Sequence, residues 1–123
     1  EIVLDTDSFE QIMINLLINA AHAADKPESM LRVSARSGNS WQDKLILEVA
    51  DNGCGMDAKT RGRIFEPFFT TKHDGTGTGL GLYVSKNLIE EMGGKIEVES
   101  QPGAGTVFRL HLADQQDAAR PQA

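Results

Sequence analysis

The sequence has little of what several kinds of site require. Cys54 is the one cysteine among 123 residues, which excludes an intramolecular disulfide and any multi-cysteine zinc or iron–sulfur site. No apolar run approaches the roughly 20 residues that a membrane-spanning helix needs. Basic residues are also scarce, since 12 Lys and Arg stand against 18 Asp and Glu for a net charge of −6. We therefore expect neither nucleic-acid binding nor direct contact with a membrane.

The rest of the composition is that of a folded domain. Hydrophobic residues make up 40% of the chain and charged residues 24%, so wholesale disorder is excluded. We expect one domain at residues 1–113 and a flexible tail at 114–123, where apolar periodicity is lost. The first residues are not a signal peptide and open directly into an apolar run, which is typical of a piece cut from a longer protein. Together with the single cysteine, this favours a cytoplasmic location, whether or not the parent protein is anchored to a membrane.

The order of the predicted elements indicates an α+β fold. Asp7 and Glu10 form a capping-box pattern, which predicts a first helix from about Ser8 to Ala24. A second helix is expected at about 80–92, and strands at 2–4, 30–36, 44–50, 96–99 and 106–112. This order predicts a helical layer on one face of a mixed sheet, rather than a doubly wound fold.

Three polar residues share one stripe of the first helix. Asn15, Asn19 and His22 lie at i, i+4 and i+7, with apolar neighbours on both sides of the stripe. Because a buried amide costs free energy unless it is hydrogen-bonded or ligated, two interpretations of the asparagines are open. They are structural amides that bond a neighbouring loop, or they are oxygen ligands for Mg²⁺, which keeps water and phosphate as its other ligands. His22 by itself is an ordinary helix residue or a phosphate neighbour rather than a metal ligand.

The glycines are concentrated in three segments. In the first, Asp51 ends a strand and precedes Gly53 and Gly55, so it can accept a hydrogen bond while backbone packs beside a flat ring. The second, residues 75–82, precedes a helix and can aim consecutive N–H groups at an anion. The third, residues 103–106, is explained by a hairpin turn. No Gly-x-x-x-x-Gly-Lys-[Ser/Thr] pattern occurs, so a P-loop NTPase is excluded.

A stretch rich in phenylalanine lies between the first two glycine segments. Three of the five phenylalanines fall within residues 65–69, and Lys72 follows them. Such a stretch is typical of a mobile segment with apolar anchors, which closes over a ligand or docks a partner. Lys72 could meet a phosphate as a point charge.

In this order, the segments resemble the catalytic ATP-binding domain of bacterial sensor histidine kinases, within the GHKL ATPase superfamily. The resemblance covers residues 1–113 and implies a two-layer α/β sandwich, in which about three helices cover one face of a mixed β-sheet. The matched segments are the N box at 15–20, the first glycine box at 51–56, the F box at 65–69, the second glycine box at 77–82 and a third glycine region at 103–106. Each box alone is weak evidence, but five in order at the family's spacing are specific.

The resemblance implies ATP and Mg²⁺ as cofactors and gives each matched residue a role. Asn19, with Asn15 nearby, would hold the Mg²⁺ that bridges the ATP phosphates. Asp51 would accept a hydrogen bond from the exocyclic amine of adenine, where guanine presents a carbonyl. Lys72 would lie near the phosphates, in an ATP lid formed by residues 56–78. The implied nucleotide-binding set is Asn15, Asn19, His22, Asp51, Gly53, Gly55, Lys72, Gly77, Thr78, Gly79, Leu80, Gly81, Leu82 and Thr106.

The sequence departs from the family pattern in two ways. Ala23 stands where many relatives carry an aromatic residue that stacks on adenine. The family's phosphoacceptor histidine lies on a separate two-helix dimerisation domain, and the predicted elements of this chain include no such helical hairpin. We do not assign that role to His22, His73 or His111, because they fall in the nucleotide stripe, the lid and a terminal strand.

The function that the resemblance implies is that of a protein-histidine kinase fragment, with Asn19 and Lys72 acting in catalysis. The γ-phosphoryl group of ATP would pass to a histidine on the dimerisation and phosphotransfer domain of the parent, and then to a response regulator. Alone, the chain is expected to have little activity. Two alternatives are an anti-sigma-type serine kinase, which the complete second glycine box disfavours, and a non-catalytic nucleotide-sensing module, which Asn19, Asp51 and Lys72 disfavour.

Overall fold

The computed structural model describes residues 4–40, 43–70 and 79–114. Within these ranges the chain forms three helices and four strands, which are α1 (Thr6–Ala23), β1 (Leu31–Ser37), β2 (Leu45–Asp51), α2 (Ala58–Arg61), α3 (Gly81–Glu91), β3 (Lys95–Gln101) and β4 (Gly105–Leu112). Lys72, Gly77 and Thr78, which the sequence predicts at the phosphates, lie outside the described residues, as does most of the strand predicted at 2–4.

The four strands form one sheet in the order β1-β2-β4-β3. α1 and α3 pack against the same face of this sheet, so the predicted two-layer α/β sandwich is confirmed. The sheet differs from the mixed one expected, because every pairing among the described strands is antiparallel. The reason lies in the connections: β1 and β3 each turn directly back into the next strand, and β4 then inserts beside β2 in the opposite direction.

The core lies between the two helices and the inner strands. Its largest side chains come from both layers and are at most 2% exposed: Ile12, Leu16, Val49, Ile89, Phe108, Leu110 and Leu112. Burial of each such side chain stabilises the fold by about 1.5–3 kcal/mol. Alternate residues of β4 face this core, as the period-two pattern of the sequence predicts. The packing fixes α1 and α3 side by side.

The uncovered face of the sheet carries charged side chains. Arg109 Nε donates to Glu48 Oε1 at 3.0 Å, and this bond raises the pKa of Arg109. The neighbouring Glu99 carboxylate lies 3.5 Å from the same guanidinium. His111 Nε2 contacts the carboxylate of Glu97, and this hydrogen bond lowers the pKa of Glu97. These pairs link β2, β4 and β3 on the face opposite the core.

The start of α1 is set by Asp5. Its Oδ1 accepts a hydrogen bond from the Ser8 N–H at 3.2 Å, which is the contact of an N-cap residue. The helix therefore begins before the predicted Ser8, and Asp7 lies in the first turn, where a negative charge is favourable.

Local sequence also sets the start of α2 and the end of α3. α2 lies within the segment predicted as a lid, and Asp57 caps it by accepting from the Thr60 N–H at 2.7 Å. That backbone hydrogen bond lowers the pKa of Asp57. α3 ends within one residue of the predicted Met92, and Gly93 makes the left-handed turn after it at φ 80°.

Candidate functional site

A cavity of about 690 Å³ opens between α1, α3 and the loops at the ends of β2 and β3. This volume lies within the range of pockets that bind small molecules and cofactors. Most of its lining is apolar or backbone, with a few polar side chains: Asn15, Ile18, Asn19, His22, Ala23, Cys54, Gly55, Met56, Asp57, Thr60, Ile64, Phe69, Thr70, Gly79, Gly81, Leu82, Pro102 and Thr106.

The polar stripe of α1 lines this cavity along its whole length. Asn15, Asn19 and His22 all lie in the wall, as the i, i+4, i+7 spacing predicts. Within the described residues, Asn19 makes no side-chain hydrogen bond. Its amide oxygen is therefore available to a ligand in the cavity, whereas an amide engaged by the protein would not be.

Asn15 is held by the protein on both sides. Its Nδ2 donates to the carbonyl oxygen of Gly81 and to Ser85 Oγ, each at 3.1 Å. Its Oδ1 accepts from Gln11 Nε2 at 3.0 Å. Of the two interpretations that the sequence leaves open, these contacts favour the structural amide for Asn15. The bonded segment is the first turn of α3, which is itself part of the cavity wall.

The Asp51 loop forms the wall at the other end of the cavity. Asp51 Oδ1 accepts from the Gly53 N–H at 2.8 Å and closes a tight turn directly after β2. A Cβ on Gly53 would lie 2.3 Å from the carbonyl oxygen of Ala23. One on Gly55, at φ 68°, would lie 1.9 Å from the carbonyl oxygen of Gln101. Both positions therefore require glycine. Gly55 lines the cavity, while Asp51 and Gly53 precede it in the same loop and are not among the lining residues.

A second tight contact joins the two sides of the segment that leads into α3. The Phe68 N–H donates to the carbonyl oxygen of Gly79 at 2.8 Å. Phe68 is at φ 66°, a left-handed conformation that costs a non-glycine residue free energy. Gly79 is at φ 74°, and a Cβ there would lie 2.4 Å from the Phe68 carbonyl carbon. This contact holds the F box against the second glycine box.

A hydroxyl network behind the wall was not predicted from the sequence. Ser100 Oγ accepts from the Met56 N–H at 2.8 Å and lies 2.8 Å from Thr106 Oγ1. It also lies 3.0 Å from the carbonyl oxygen of Gly105, to which it can donate. Thr106 lines the cavity, so the network fixes a predicted residue in place. Nothing in the sequence distinguishes Ser100 from a surface serine, because its role depends on the pairing of β3 with β4.

The apolar part of the lining includes residues that no motif predicts. Ile18, Met56, Ile64 and Pro102 supply apolar surface, and Phe69 is the member of the phenylalanine-rich stretch that joins them. A flat ring in this cavity would therefore have apolar contacts on several sides. The sequence predicts Phe69 only as one of the apolar anchors at 65–69, and not as part of a cavity wall.

The described lining is poor in positive charge. It includes no lysine or arginine, and Asp57 adds a carboxylate whose pKa is lowered. Attraction of an anion by the described residues therefore depends on backbone N–H groups, above all those in the first turn of α3. The described ranges hold no cluster of three or more His, Cys, Asp and Glu residues that could bind a metal. They also hold no helix with the length and apolar character needed to cross a bilayer.

The fold and the cavity together define a class of protein. A two-layer α/β sandwich presents a cavity of nucleotide size between α1, where the Asn19 side chain makes no hydrogen bond to the described residues, and the N-terminus of α3. Residues 4–116 match the family of histidine kinase-, DNA gyrase B- and HSP90-like ATPases. The chain belongs to this family, and its resemblance to the catalytic domain of a histidine kinase is confirmed by similar proteins of known sequence and structure.

Similar proteins include curated kinases and solved catalytic domains. The sensor histidine kinase ZraS of Klebsiella oxytoca is 43% identical over 108 residues, which cover 88% of this chain and 22% of that protein. AtoS of Escherichia coli, a signal transduction histidine-protein kinase, is 40% identical over 114 residues, covering 88% and 17%. The chain thus spans about a fifth of the length of these curated relatives.

Two solved structures share the fold. The catalytic domain of the histidine kinase ThkA superposes with a TM-score of 0.74 at 32% identity, covering 89% of this chain and 68% of that one. The mycobacterial sensor histidine kinase MprB gives a TM-score of 0.77 at 26% identity, covering 91% and 76%.

Proposed function

We propose that this chain is the ATP-binding catalytic domain of a two-component sensor histidine kinase and works in the cytoplasm. It binds Mg²⁺–ATP and donates the γ-phosphoryl group to a histidine on a separate dimerisation domain, from which the group passes to a response regulator. The observation that carries the proposal is the cavity, which places Asn19 of α1 and Gly81 and Leu82 of α3 around one space.

The phosphates bind at the first turn of α3. The first N–H groups of a helix have no partner within it, and the helix dipole places partial positive charge there. The first turn of α3 lies in the cavity wall at Gly81 and Leu82, so an anionic ligand in the cavity can bind there. Lys72, Gly77 and Thr78, outside the described residues, complete the phosphate site in this proposal, and His22 contributes from α1.

Asn19 is the Mg²⁺ ligand. Its amide oxygen is a hard donor in the cavity wall and has no competing hydrogen bond within the described residues. Asn15 lies beside it, and its oxygen would have to leave the exposed Gln11 side chain to join the metal. When bound, Mg²⁺ neutralises charge on the phosphates and orients them.

The base binds at the Asp51 end of the cavity. One carboxylate oxygen of Asp51 closes the turn with Gly53, and the other makes no hydrogen bond within the described residues. In this proposal the base reaches past the lining residue Gly55, so that this second oxygen accepts from the exocyclic amine of adenine, while Gly55 and Thr106 contribute the floor. Ala23 is too small to stack on the adenine ring. The apolar side chains around the ring, such as Met56, therefore make the contacts with its faces.

The chemical step is a transfer between domains. The lone pair of the acceptor imidazole nitrogen forms a bond to the γ-phosphorus, the bond from that phosphorus to the bridging oxygen breaks, and ADP leaves. The proton on the other ring nitrogen passes to a base on the acceptor's own domain. The residues of this chain bind and orient the donor, and positioning with charge stabilisation supplies most of catalysis in phosphoryl transfer. The nucleophile comes from the other domain.

The proposal is tested by supplying that domain. The chain is mixed with the dimerisation domain of its parent kinase and ATP labelled at the γ-phosphate, with Asn19→Ala as the inactive control. Label on a histidine of the added domain is the expected result. Binding of Mg²⁺–ATP without label on any histidine would contradict the proposal and support a nucleotide-sensing module instead.

A further inference from the structure

Lys26, which belongs to no predicted motif, reaches the wall of the cavity from behind. It lies in the loop between α1 and β1, and its Nζ contacts the carbonyl oxygen of Asn52. The same ammonium group lies 3.4 Å from the carbonyl oxygen of Gly53 and 3.5 Å from that of Gly103. One cation therefore meets carbonyl groups from two separate loops.

Those two loops form the end of the cavity where the base is proposed to bind. The Gly103 N–H donates to the carbonyl oxygen of Cys54 at 2.7 Å, and the Cys54 N–H donates to that of Ala23 at 2.9 Å. Backbone hydrogen bonds thus connect the end of α1, the loop after β2 and the β3–β4 turn in that order. Cys54 and Pro102, one from each loop, line the cavity directly. A shift of either loop changes the shape of the wall.

The loop that carries Lys26 is itself fastened to the same wall. The side chain of Asn52 accepts from the Met30 N–H at 2.7 Å and donates to the carbonyl oxygen of Glu28 at 3.0 Å. The backbone N–H of Asn52 donates to the carbonyl oxygen of Met30 at 3.3 Å. These bonds restrain the backbone of the loop that carries Lys26, which favours a defined position for its ammonium group.

The electrostatics give the ammonium group a specific role. Carbonyl oxygens that converge from two loops carry like partial charges and repel one another unless a donor lies between them. An ammonium group has three donors and no acceptor, so it can satisfy several carbonyls at once. Asp25 Oδ1 lies 3.7 Å from Lys26 Nζ and balances part of its charge. An apolar side chain at this position would leave the carbonyl groups to water.

We propose that Lys26 is a positioning residue for recognition of the nucleotide base, acting through the loops at 52–55 and 102–104. The inference rests on the proposed function, because it assumes that the base lies against these loops. Lys26 does not touch the nucleotide. Its ammonium group holds the Asp51 turn and the β3–β4 turn at the spacing that selects adenine.

The test compares three variants of the full chain: Lys26→Met, Lys26→Arg and Lys44→Met. Lys44 is an exposed lysine that precedes β2 at the end opposite Asp51, so it serves as a matched control. Calorimetry measures the affinity for ADP and GDP with Mg²⁺, and amide hydrogen exchange follows the Gly103 N–H. The exchange rate at Gly103 reports on the hydrogen bond that joins the two loops, so it gives a local readout even if the melting temperature of the whole chain falls.

In Lys26→Met we expect ADP affinity to fall about tenfold, the preference for ADP over GDP to narrow, and exchange at Gly103 to speed up. Lys26→Arg should restore most of the affinity and the preference, since a guanidinium also donates to carbonyls, and Lys44→Met should match the parent. If Lys26→Met keeps both affinities within about twofold of the parent, the inference is wrong, whatever happens to the melting temperature. Failure of the unsubstituted chain to bind ADP would instead overturn the proposed function.

Discussion

The side-chain nitrogen of Asn15 lies 3.1 Å from the carbonyl oxygen of Gly81, the first residue of α3. It lies equally close to the hydroxyl of Ser85, which is fully buried between the two helices. Through these bonds α1 fixes the N-terminus of α3 beside the cavity. Asn19 lies one turn further along the same stripe and is left for a ligand. Two identical residues four positions apart thus have different surroundings and different expected roles.

Replacing Asn15 by alanine should lower the stability of the domain. The substitution removes the donor to Gly81 and Ser85 in a part-buried interface, so we expect the free energy of unfolding to fall by about 1–3 kcal/mol. Urea unfolding followed by circular dichroism measures it. A change below about 0.5 kcal/mol would show that water replaces these contacts at no cost and that they do not fix α3.

Replacing Asn19 by alanine should weaken nucleotide binding and leave the stability of the domain nearly unchanged. Because the side chain of Asn19 makes no hydrogen bond within the described residues, we expect stability to change by less than about 0.5 kcal/mol. The affinity for ADP with Mg²⁺ should fall by about tenfold or more. Excess EDTA should bring parent and variant to the same weak affinity. An equal gap with and without EDTA would remove Asn19 from the metal site.

Two glycines with positive φ give a matched pair for the wall of the cavity. Gly55 is at φ 68° and Gly103 at φ 78°, so alanine is strained at both by about 1–2 kcal/mol. A Cβ at Gly103 meets nothing within 4 Å, whereas one at Gly55 would lie 1.9 Å from the carbonyl oxygen of Gln101. Gly55→Ala should therefore cost clearly more stability than Gly103→Ala, and it should also weaken ADP binding. Equal losses in chemical denaturation would contradict the close approach at Gly55.

The Glu97–His111 pair predicts a pH dependence of stability. The hydrogen bond from His111 lowers the pKa of Glu97 in the folded state below its ordinary value of 4.5. The ionised carboxylate therefore stabilises the fold above that ordinary value, and the contribution is lost as the pH falls through the lower, folded pKa. Glu97→Gln should be less stable than the parent at pH 6, and the difference should shrink as the pH falls below about 4.5.

The matched control for this pair is Glu91→Gln. Glu91 is an exposed residue in the last turn of α3, away from His111. Urea unfolding between pH 3 and pH 6 should show a pH-dependent difference from the parent for Glu97→Gln and a flat one for Glu91→Gln. If the difference in the free energy of unfolding between Glu97→Gln and the parent does not change with pH, the contact of Glu97 with His111 does not depend on the charge of the Glu97 carboxylate.

Local patterns were enough to predict most of the elements. The end of α3 followed from the Gly93–Gly94 pair, and the α1 stripe from the spacing of Asn15, Asn19 and His22, because both depend on neighbours along the chain. The antiparallel order of the sheet was not predictable in this way. Strand direction depends on which strands pair, and β4 lies between β2 and β3, which are far apart in sequence.

The roles of single side chains were harder to predict than their positions. A structural amide and a metal ligand give the same helical spacing, so only the contacts with Gly81 and Ser85 separate Asn15 from Asn19. Lys26 and Ser100 carry no local signal at all. Their partners belong to loops and strands that are distant in sequence, and each looks like an ordinary surface residue until those segments are brought together.

The central claim is that the cavity selects an adenine nucleotide through Asp51. Its most direct test is calorimetry of Mg²⁺–ATP and Mg²⁺–GTP with the parent and with Asp51→Asn. The asparagine keeps an oxygen for the Gly53 N–H but presents an amide NH₂ group, which can only donate, where the parent has its second carboxylate oxygen. We predict a clear preference of the parent for ATP and a marked loss of ATP affinity in Asp51→Asn, with the preference reduced or reversed. Equal affinities of the parent for ATP and GTP, or an unchanged ATP affinity in Asp51→Asn, would contradict the account.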